Sequence, residues 1–364
     1  MKFPAEPPKI LLTGATGYIG GTILSTLLSP PSLPTPFPIT CLLRGPARAA
    51  TLTAAYGARI QPALHADLDD LATTTALAAQ HDVIIHTTVG YHPASAAALV
   101  RGLAQRRAAT GRDVWMVHTS GTSNLADRPF SVAGGRGVVR REFDDARDDV
   151  YALEKELERA GPYAQRETEL GVVELGEELG VKTVVVMSPT IFGIGTGLFN
   201  RLSIQVPAYV KAALAYGRGV VVGDGEGVWD HVHVEDLAEL YKLLVVEILE
   251  RGGEHLPTGR KGIIFSTNGR HTWMEVAQGV AEALCEEGKI ADKAVERIGL
   301  AEGAKLFGQH MGAEEEQRVE LGLSSNSRTV SSVARKLGWA PTKGVEWWRK
   351  GFREDVKAVL GQRE

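Results

Sequence analysis

The chain has 364 residues, 44% of them apolar, and a formal net charge of −4 with a pI near 6.2. That is enough apolar content for one large domain or two lobes, and it leaves no basic surplus for nucleic acid. No apolar stretch reaches the ~20 residues of a membrane span, MKFPAEPPKILL has no signal-peptide layout, and Cys41 and Cys285 have no metal-ligand spacing, so a cytoplasmic protein with free thiols is expected.

The first element is the apolar run KILLTG, which passes straight into TGATGYIGG and then a helical pattern, TILSTLL. Strand, glycine turn and helix in that order predict a dinucleotide-binding turn. Gly14 allows the tight turn, Gly17 lets the backbone approach a pyrophosphate, and Gly20 permits close helix–strand packing. Thr16, Tyr18 and Ile19 complete the loop and the helix N-terminus whose N–H groups meet the phosphates.

SPPSLPTPFP, residues 29–38, carries five prolines and reads as a surface loop. ITCLLRG is the second strand, followed by Arg44 and Arg48. A guanidinium there suits the 2′-phosphate of NADP, where a carboxylate would suit NAD; the alternative is two solvent-facing arginines at a helix start. DVIIHTT, with Thr87 next to its end, is a third strand, and Tyr91 and His92 in the loop beyond it are either substrate contacts or ordinary loop residues. DVWMVHTS is a fourth strand and KTVVVMSPT, with Ser188 at its end, a fifth. Continuous apolar strands separated by helices predict an α/β fold with a doubly wound parallel sheet.

RREFDDARDDVYALEKELERAG, residues 140–161, reads as an inserted solvated helix, and Gly161-Pro162 breaks it from the next one. RHTWMEVAQGVAEAL opens on a capping box, Thr272 with Glu275. DHVHVED puts His231 and His233 on one strand face near Asp236; without a third clear ligand, a strand junction is preferred to a metal site.

The chain resembles the short-chain dehydrogenase/reductase superfamily in its extended, NAD-dependent epimerase/dehydratase-like branch. The motifs that carry the resemblance are TGATGYIG, HADLDD, HTSGTS, SPTIFGIGTG, VVVGDGEGVWDHVHVEDLAELY and ARKLGWAPT. The resemblance implies a Rossmann domain over residues 1–189 with 217–269, and a smaller C-terminal substrate lobe over 190–216 with 270–364. It also implies a nicotinamide cofactor, with Asp67 and Leu68 on its adenine side. The expected partner is a small-molecule substrate, with no nucleic acid and no membrane, and the family leaves room for a homodimer.

In that family a tyrosine passes a proton to or from the substrate oxygen, a lysine one helical turn on supports it, and a serine or threonine orients the substrate. Tyr151 has Lys155 at that spacing, whereas Tyr163 is followed by Glu167. Yet Tyr163 stands 25 residues before Ser188, which fits one helix and one strand, whereas the 37 residues from Tyr151 include the Gly161-Pro162 break. Tyr163 is therefore preferred. Arg166 at i+3 is expected to give the positive field, and Glu167 at i+4 to lie near the phenol and bind ribose. Among the hydroxyls of HTSGTS, Ser120 and Thr122 are the candidates, because Gly121 takes the usual place. The expected function is NADP-dependent reduction of a carbonyl. The alternatives are an NADP-binding sensor or scaffold without turnover, and a nucleotide-sugar epimerase or dehydratase.

Overall fold

The computed structural model describes residues 7–31, 33, 38–132, 141–311 and 315–362; the proline-rich stretch 29–38 lies in part outside the described residues. Strands and helices alternate through the first third: β1 (Ile10–Thr13), α1 (Tyr18–Leu28), β2 (Ile39–Leu43), α2 (Pro46–Tyr56), β3 (Ile60–Leu64), α3 (Leu71–Ala78), β4 (Val83–His86), α4 (Pro93–Thr110) and β5 (Trp115–Gly121). A short β6 (Glu142–Asp144) and two helices, α5 (Val150–Ala160) and α6 (Ala164–Leu179), precede β7 (Lys182–Ser188). There follow β8 (Thr190–Phe192), α7 (Gln205–Tyr216), β9 (Gly219–Val222), β10 (Val228–His233), α8 (Val234–Arg251) and β11 (Ile263–Phe265). The last part holds β12 (Gly269–Thr272), α9 (Trp273–Glu286), β13 (Val295–Ile298), α10 (Leu300–Met311), α11 (Glu316–Leu323), β14 (Arg328–Val330), α12 (Ser332–Lys336) and α13 (Val345–Gly361).

Seven parallel strands form the central sheet in the order β11-β7-β5-β4-β1-β2-β3. The strand order reverses between β1 and β4, the point at whose carboxyl edge such sheets bind ligands. Both faces are covered, which is why the strands read as unbroken apolar runs. Ile10, Leu12, Cys41, Leu43, Val83, Ile85, Val117, Val184 and Val186 pack with the residues of α1 and α8. The alternate residues Leu11, Leu42, Ile84 and Met116 pack with Leu99, Leu103 and Val172 from α4 and α6. β3 escaped sequence reading because it carries Pro62, which an edge strand tolerates, and β11 because it is three residues long.

A second core gathers α7, β9, α9, α11 and α13 around Tyr209, Trp273, Phe307 and Trp348. β9 (Gly219–Val222), grouped by sequence with the dinucleotide lobe, pairs with β13 and contributes Val220, Val221 and Val222 to this second core. Ala334 and Trp339, grouped with the substrate lobe, pack instead in the first core. Trp339 Nε1 donates to the Asp236 carbonyl at 2.8 Å, and the Asp236 carboxylate accepts the N–H groups of Thr342 (3.0 Å) and Lys343 (2.8 Å). The motifs VHVEDLAELY and LGWAPT therefore form one joint.

The expected capping box is present, with Thr272 Oγ1 accepting from Glu275 N at 3.1 Å and Glu275 Oε2 accepting from Thr272 N at 3.2 Å. The expected solvated helix over 140–161 is corrected: β6 pairs with β14, a turn follows, and only Val150–Ala160 is helical. That helix is also not solvated all round, for Glu154 is fully buried.

Asp355 on α13 is buried, and neither carboxylate oxygen has a hydrogen-bond partner among the described residues. Burial first, then Glu354, pushes its carboxyl from 3.8 up to about 7. A raised folded-state value leaves the stability intact below the unfolded value and removes it as pH rises through the folded one. The Asp355→Asn variant should therefore melt like the parent near pH 4 and be more stable at pH 8, by on the order of 3 kcal/mol. Thermal denaturation across that range tests it; a variant no more stable at pH 8 would contradict an ionised, unpaired Asp355.

Candidate active site

The first constraint is the turn after β1. Gly14 has φ of 74°, and a Cβ on it would stand 2.7 Å from the Thr87 carbonyl oxygen. A Cβ on Gly20 would overlap the Gly14 carbonyl oxygen and Thr87 Oγ1. The tight turn and the close packing thus fall at these two glycines. Gly17 is the extended N-cap of α1, with no side-chain cap, and a Cβ there would have only Gly14 O, at 3.1 Å, within reach. The N-terminus of α1 is a polar cradle that an anion fits.

The flanking residues are set as follows. Thr16 is half-buried and its carbonyl accepts Asn200 N–H at 3.4 Å. The Tyr18 hydroxyl donates to Gly193 O at 2.7 Å, fastening the chain after β8 onto the turn, and Ile19 packs on the first core. Thr87 Oγ1 donates to Thr13 O at 2.7 Å, so this hydroxyl clasps β4 to β1. Arg44, directly after β2, and Arg48, in the first turn of α2, are exposed and make no hydrogen bond or ion pair with described residues. Asp67 is exposed and accepts Asp69 N–H at 2.8 Å, with Leu68 half-buried beside it. Ser188 ends β7 and its hydroxyl accepts from Ser266 Oγ at 3.1 Å.

Of the two tyrosines, the structure brings Tyr163 to the carboxyl edge of the sheet. Its hydroxyl donates to Ser123 Oγ at 3.2 Å and lies 3.0 Å from the Tyr91 hydroxyl, with the rings edge-to-face at 5.9 Å. The side chain is only 5% exposed, and burial first, then Tyr91, pushes the phenol well above its ordinary value. Tyr151 points elsewhere: its hydroxyl and Lys155 Nζ both bind Glu174 Oε1 at 2.7 Å, and Arg260 sits 4.8 Å over its ring.

Three expectations around Tyr163 need correction. Tyr163 is the extended N-cap of α6 (φ −145°), so the helical i, i+4 argument does not apply to it. Glu167 lies on the exposed face of α6 with Ala164 and Gly171, not beside the phenol. Arg166 is buried with Cζ 5.7 Å from the Tyr163 ring centroid, but it is paired: Nε donates to Asn124 O (2.9 Å) and Nη1 to Glu158 (3.1 Å) and Gly161 O (3.2 Å). Third, the hydroxyl beside Tyr163 belongs to Ser123. Ser120 Oγ instead accepts from Asn124 Nδ2 at 3.2 Å, and Thr122 is buried with an unpaired Oγ1.

Behind the tyrosine lies a buried polar group that the sequence did not reveal. Asn124 Nδ2 also donates to Glu169 at 2.7 Å, and Glu154 is buried close to Glu169. Burial raises both carboxyls, and the nearby Glu169 pushes Glu154 further up. Beneath the same edge, His86 and His118 share a 2.7 Å Nδ1–Nδ1 contact, and burial lowers His86 to about 4. His231 is stacked on Trp348 at 4.1 Å and His233 caps α8 through Glu235 N; among the described residues no group of three or more His, Cys, Asp or Glu is arranged to hold a metal.

The comparisons agree with this architecture. The chain is 30% identical over 311 residues, 82% of its own length and 85% of the relative's, to the oxidase ucsJ of an Acremonium species. It is 27% identical over 266 residues, 71% and 76% of the two chains, to the uncharacterized protein YLL056C of Saccharomyces cerevisiae. Among solved structures, the dTDP-glucose 4,6-dehydratase DesIV of Streptomyces venezuelae with NAD bound aligns with a TM-score of 0.64 at 17% identity, covering 98% of each chain. The UDP-glucose 4-epimerase of Thermotoga maritima aligns with a TM-score of 0.58 at 14% identity, covering 98% and 100%. At such identities these two show the shared Rossmann-type fold alone. The family model for the NAD dependent epimerase/dehydratase family matches residues 10–256, and the chain belongs to that family, within the extended short-chain dehydrogenases/reductases.

Proposed function

We propose that this protein is an NADP-dependent oxidoreductase that reduces a carbonyl in a small-molecule substrate, with Tyr163 as the proton donor. The observation that carries this reading is the Tyr163 hydroxyl at the carboxyl edge of the sheet, bonded to Ser123 at 3.2 Å. The uncapped N-terminus of α1 and the open side of Gly17 fit a pyrophosphate. Arg44 and Arg48 have no partner among the described residues and suit a 2′-phosphate. Asp67 and Leu68 would border the adenine, and the edge from Thr87 to Ser188 the nicotinamide half. When bound, the reduced nicotinamide supplies a hydride.

The residues of the chain then have to hold the carbonyl and deliver a proton. Ser123 takes the substrate-orienting role expected of Ser120 or Thr122. A phenol whose ionisation is pushed up is in the right form for an acid, and a poor form for a base. Reduction is therefore favoured over oxidation. The second reading, a cofactor binder without turnover, draws on the absence of a lysine after Tyr163.

NADPH should bind at least about tenfold more tightly than NADH, since charge-assisted bonds contribute ~1.5–3 kcal/mol each, and Arg44→Asp should abolish the preference. Nucleotide fluorescence titration measures both; equal affinities would remove the NADP assignment. Gly17→Val should leave the fold intact and eliminate dinucleotide binding, because a side chain would stand where the pyrophosphate approaches. A folded variant with unchanged NADPH affinity would refute the phosphate-loop role. With NADPH and a panel of aldehydes and ketones, Tyr163→Phe should lose about 10²–10⁴-fold in turnover with cofactor binding intact, while Tyr151→Phe stays near the parent rate. The reverse pattern would move the chemistry to Tyr151. No effect of either, with NADPH still bound, would favour the non-catalytic binder.

A further inference from the structure

The cation expected from Arg166 is neutralised. Its guanidinium is 3.1 Å from the Glu158 carboxylate, and Glu158 also accepts the Tyr163 backbone N–H. A different arginine reaches the site from the second core. Arg318 on α11 is half-buried, with Cζ 4.2 Å from the centroid of the Tyr91 ring, and it pairs with no carboxylate among the described residues. The neighbouring Gln317 donates to Pro162 O at 3.0 Å, which fixes α11 against the residue before Tyr163. Tyr91 in turn has its hydroxyl 3.0 Å from that of Tyr163.

We propose that Tyr163, Tyr91 and Arg318 form one proton-delivery line, in which Tyr91 reloads Tyr163 and Arg318 is the positioning cation that stands in for the missing lysine. This rests on the reading of Tyr163 as proton donor. Tyr163 gives its O–H proton to the carbonyl oxygen as the carbonyl carbon gains hydride from the reduced cofactor. The phenolate left at Tyr163 takes the Tyr91 proton across the 3.0 Å contact, and Tyr91, beneath the Arg318 cation, takes a proton from water. The charged groups that face Tyr163 are Glu158 on α5, Arg166 on α6 and Arg318 on α11, with Arg128 beyond Gly161; Tyr91 is the titratable group on the β4 side. Since Glu158 and Arg166 offset one another, Arg318 sets the sign of the field.

The test needs a readout that does not depend on turnover. With 2,3,5,6-tetrafluorotyrosine at position 163 of the full chain, whose fluorines bring the phenol's ionisation down into the range where the protein stays folded, ¹⁹F NMR titration without substrate should place that ionisation higher in Arg318→Leu by about one pH unit. Arg318→Lys should restore most of it. With NADPH and a panel of aryl aldehydes, Tyr91→Phe and Arg318→Leu should each lower kcat about tenfold with little change in KM, less than Tyr163→Phe does. An unchanged titration in Arg318→Leu overturns the role of Arg318. Parent-like turnover in Tyr91→Phe, beside an inactive Tyr163→Phe, overturns the relay while leaving Tyr163 as donor. Full turnover in Tyr163→Phe overturns both.

Discussion

The structure depends on how closely β1 and β4 end together. Thr13 and His86 are paired neighbours at the last step of the parallel ladder, and beyond them Thr87 Oγ1 bonds Thr13 O at 2.7 Å. Gly14 and Gly20 leave no room for side chains against that clasp. The turn into α1 and the loop bearing Tyr91 therefore leave the sheet from one fixed point. The N-terminus of α1 and Tyr91 face the same edge of the sheet because these two chain exits are held level.

The catalytic tyrosine proposed here is held from behind by polar groups. Arg166 bridges α6 to Glu158 on α5 and to the Asn124 carbonyl, and Asn124 reaches the Glu169 carboxyl and Ser120. Removing one partner of a buried ion pair costs about 3–5 kcal/mol, because the other is left uncompensated. Arg166 is thus an anchor for the position of Tyr163, and it has little net charge left to act on the phenol. Holding the phenol and biasing its proton fall to different residues on different elements.

Much of the fold was legible in the sequence because its signals are local. The glycine turn, five of the seven strands of the sheet and the capping box at Thr272 each follow from adjacent residues. Counting from Tyr163 to Ser188 also led to the tyrosine at the sheet edge, where matching Tyr-x-x-x-Lys would have led to Tyr151. The hydroxyl partner was missed for a geometric reason. Strand alternation stops at Gly121, and a single 3₁₀ turn over Thr122–Leu125 rotates Ser123, not Ser120 or Thr122, onto the phenol. Glu167 was misplaced because helical spacing was applied to an extended N-cap residue. Arg318 and the Glu154–Glu169 pair meet their partners only through tertiary packing, for which one sequence holds no signal.

The chain passes repeatedly between the two cores. β8 and α7 serve the second, α8 and β11 the first, α9 the second, the α12 turn the first through Trp339, and α13 the second again. Asp236, at the head of α8, grips the returning strand of chain at Thr342 and Lys343. Neither half is thus a continuous module that recombination can lift out and replace. Exchanging either half as one piece would cut the chain at each of these crossings and separate Asp236 from Thr342 and Lys343.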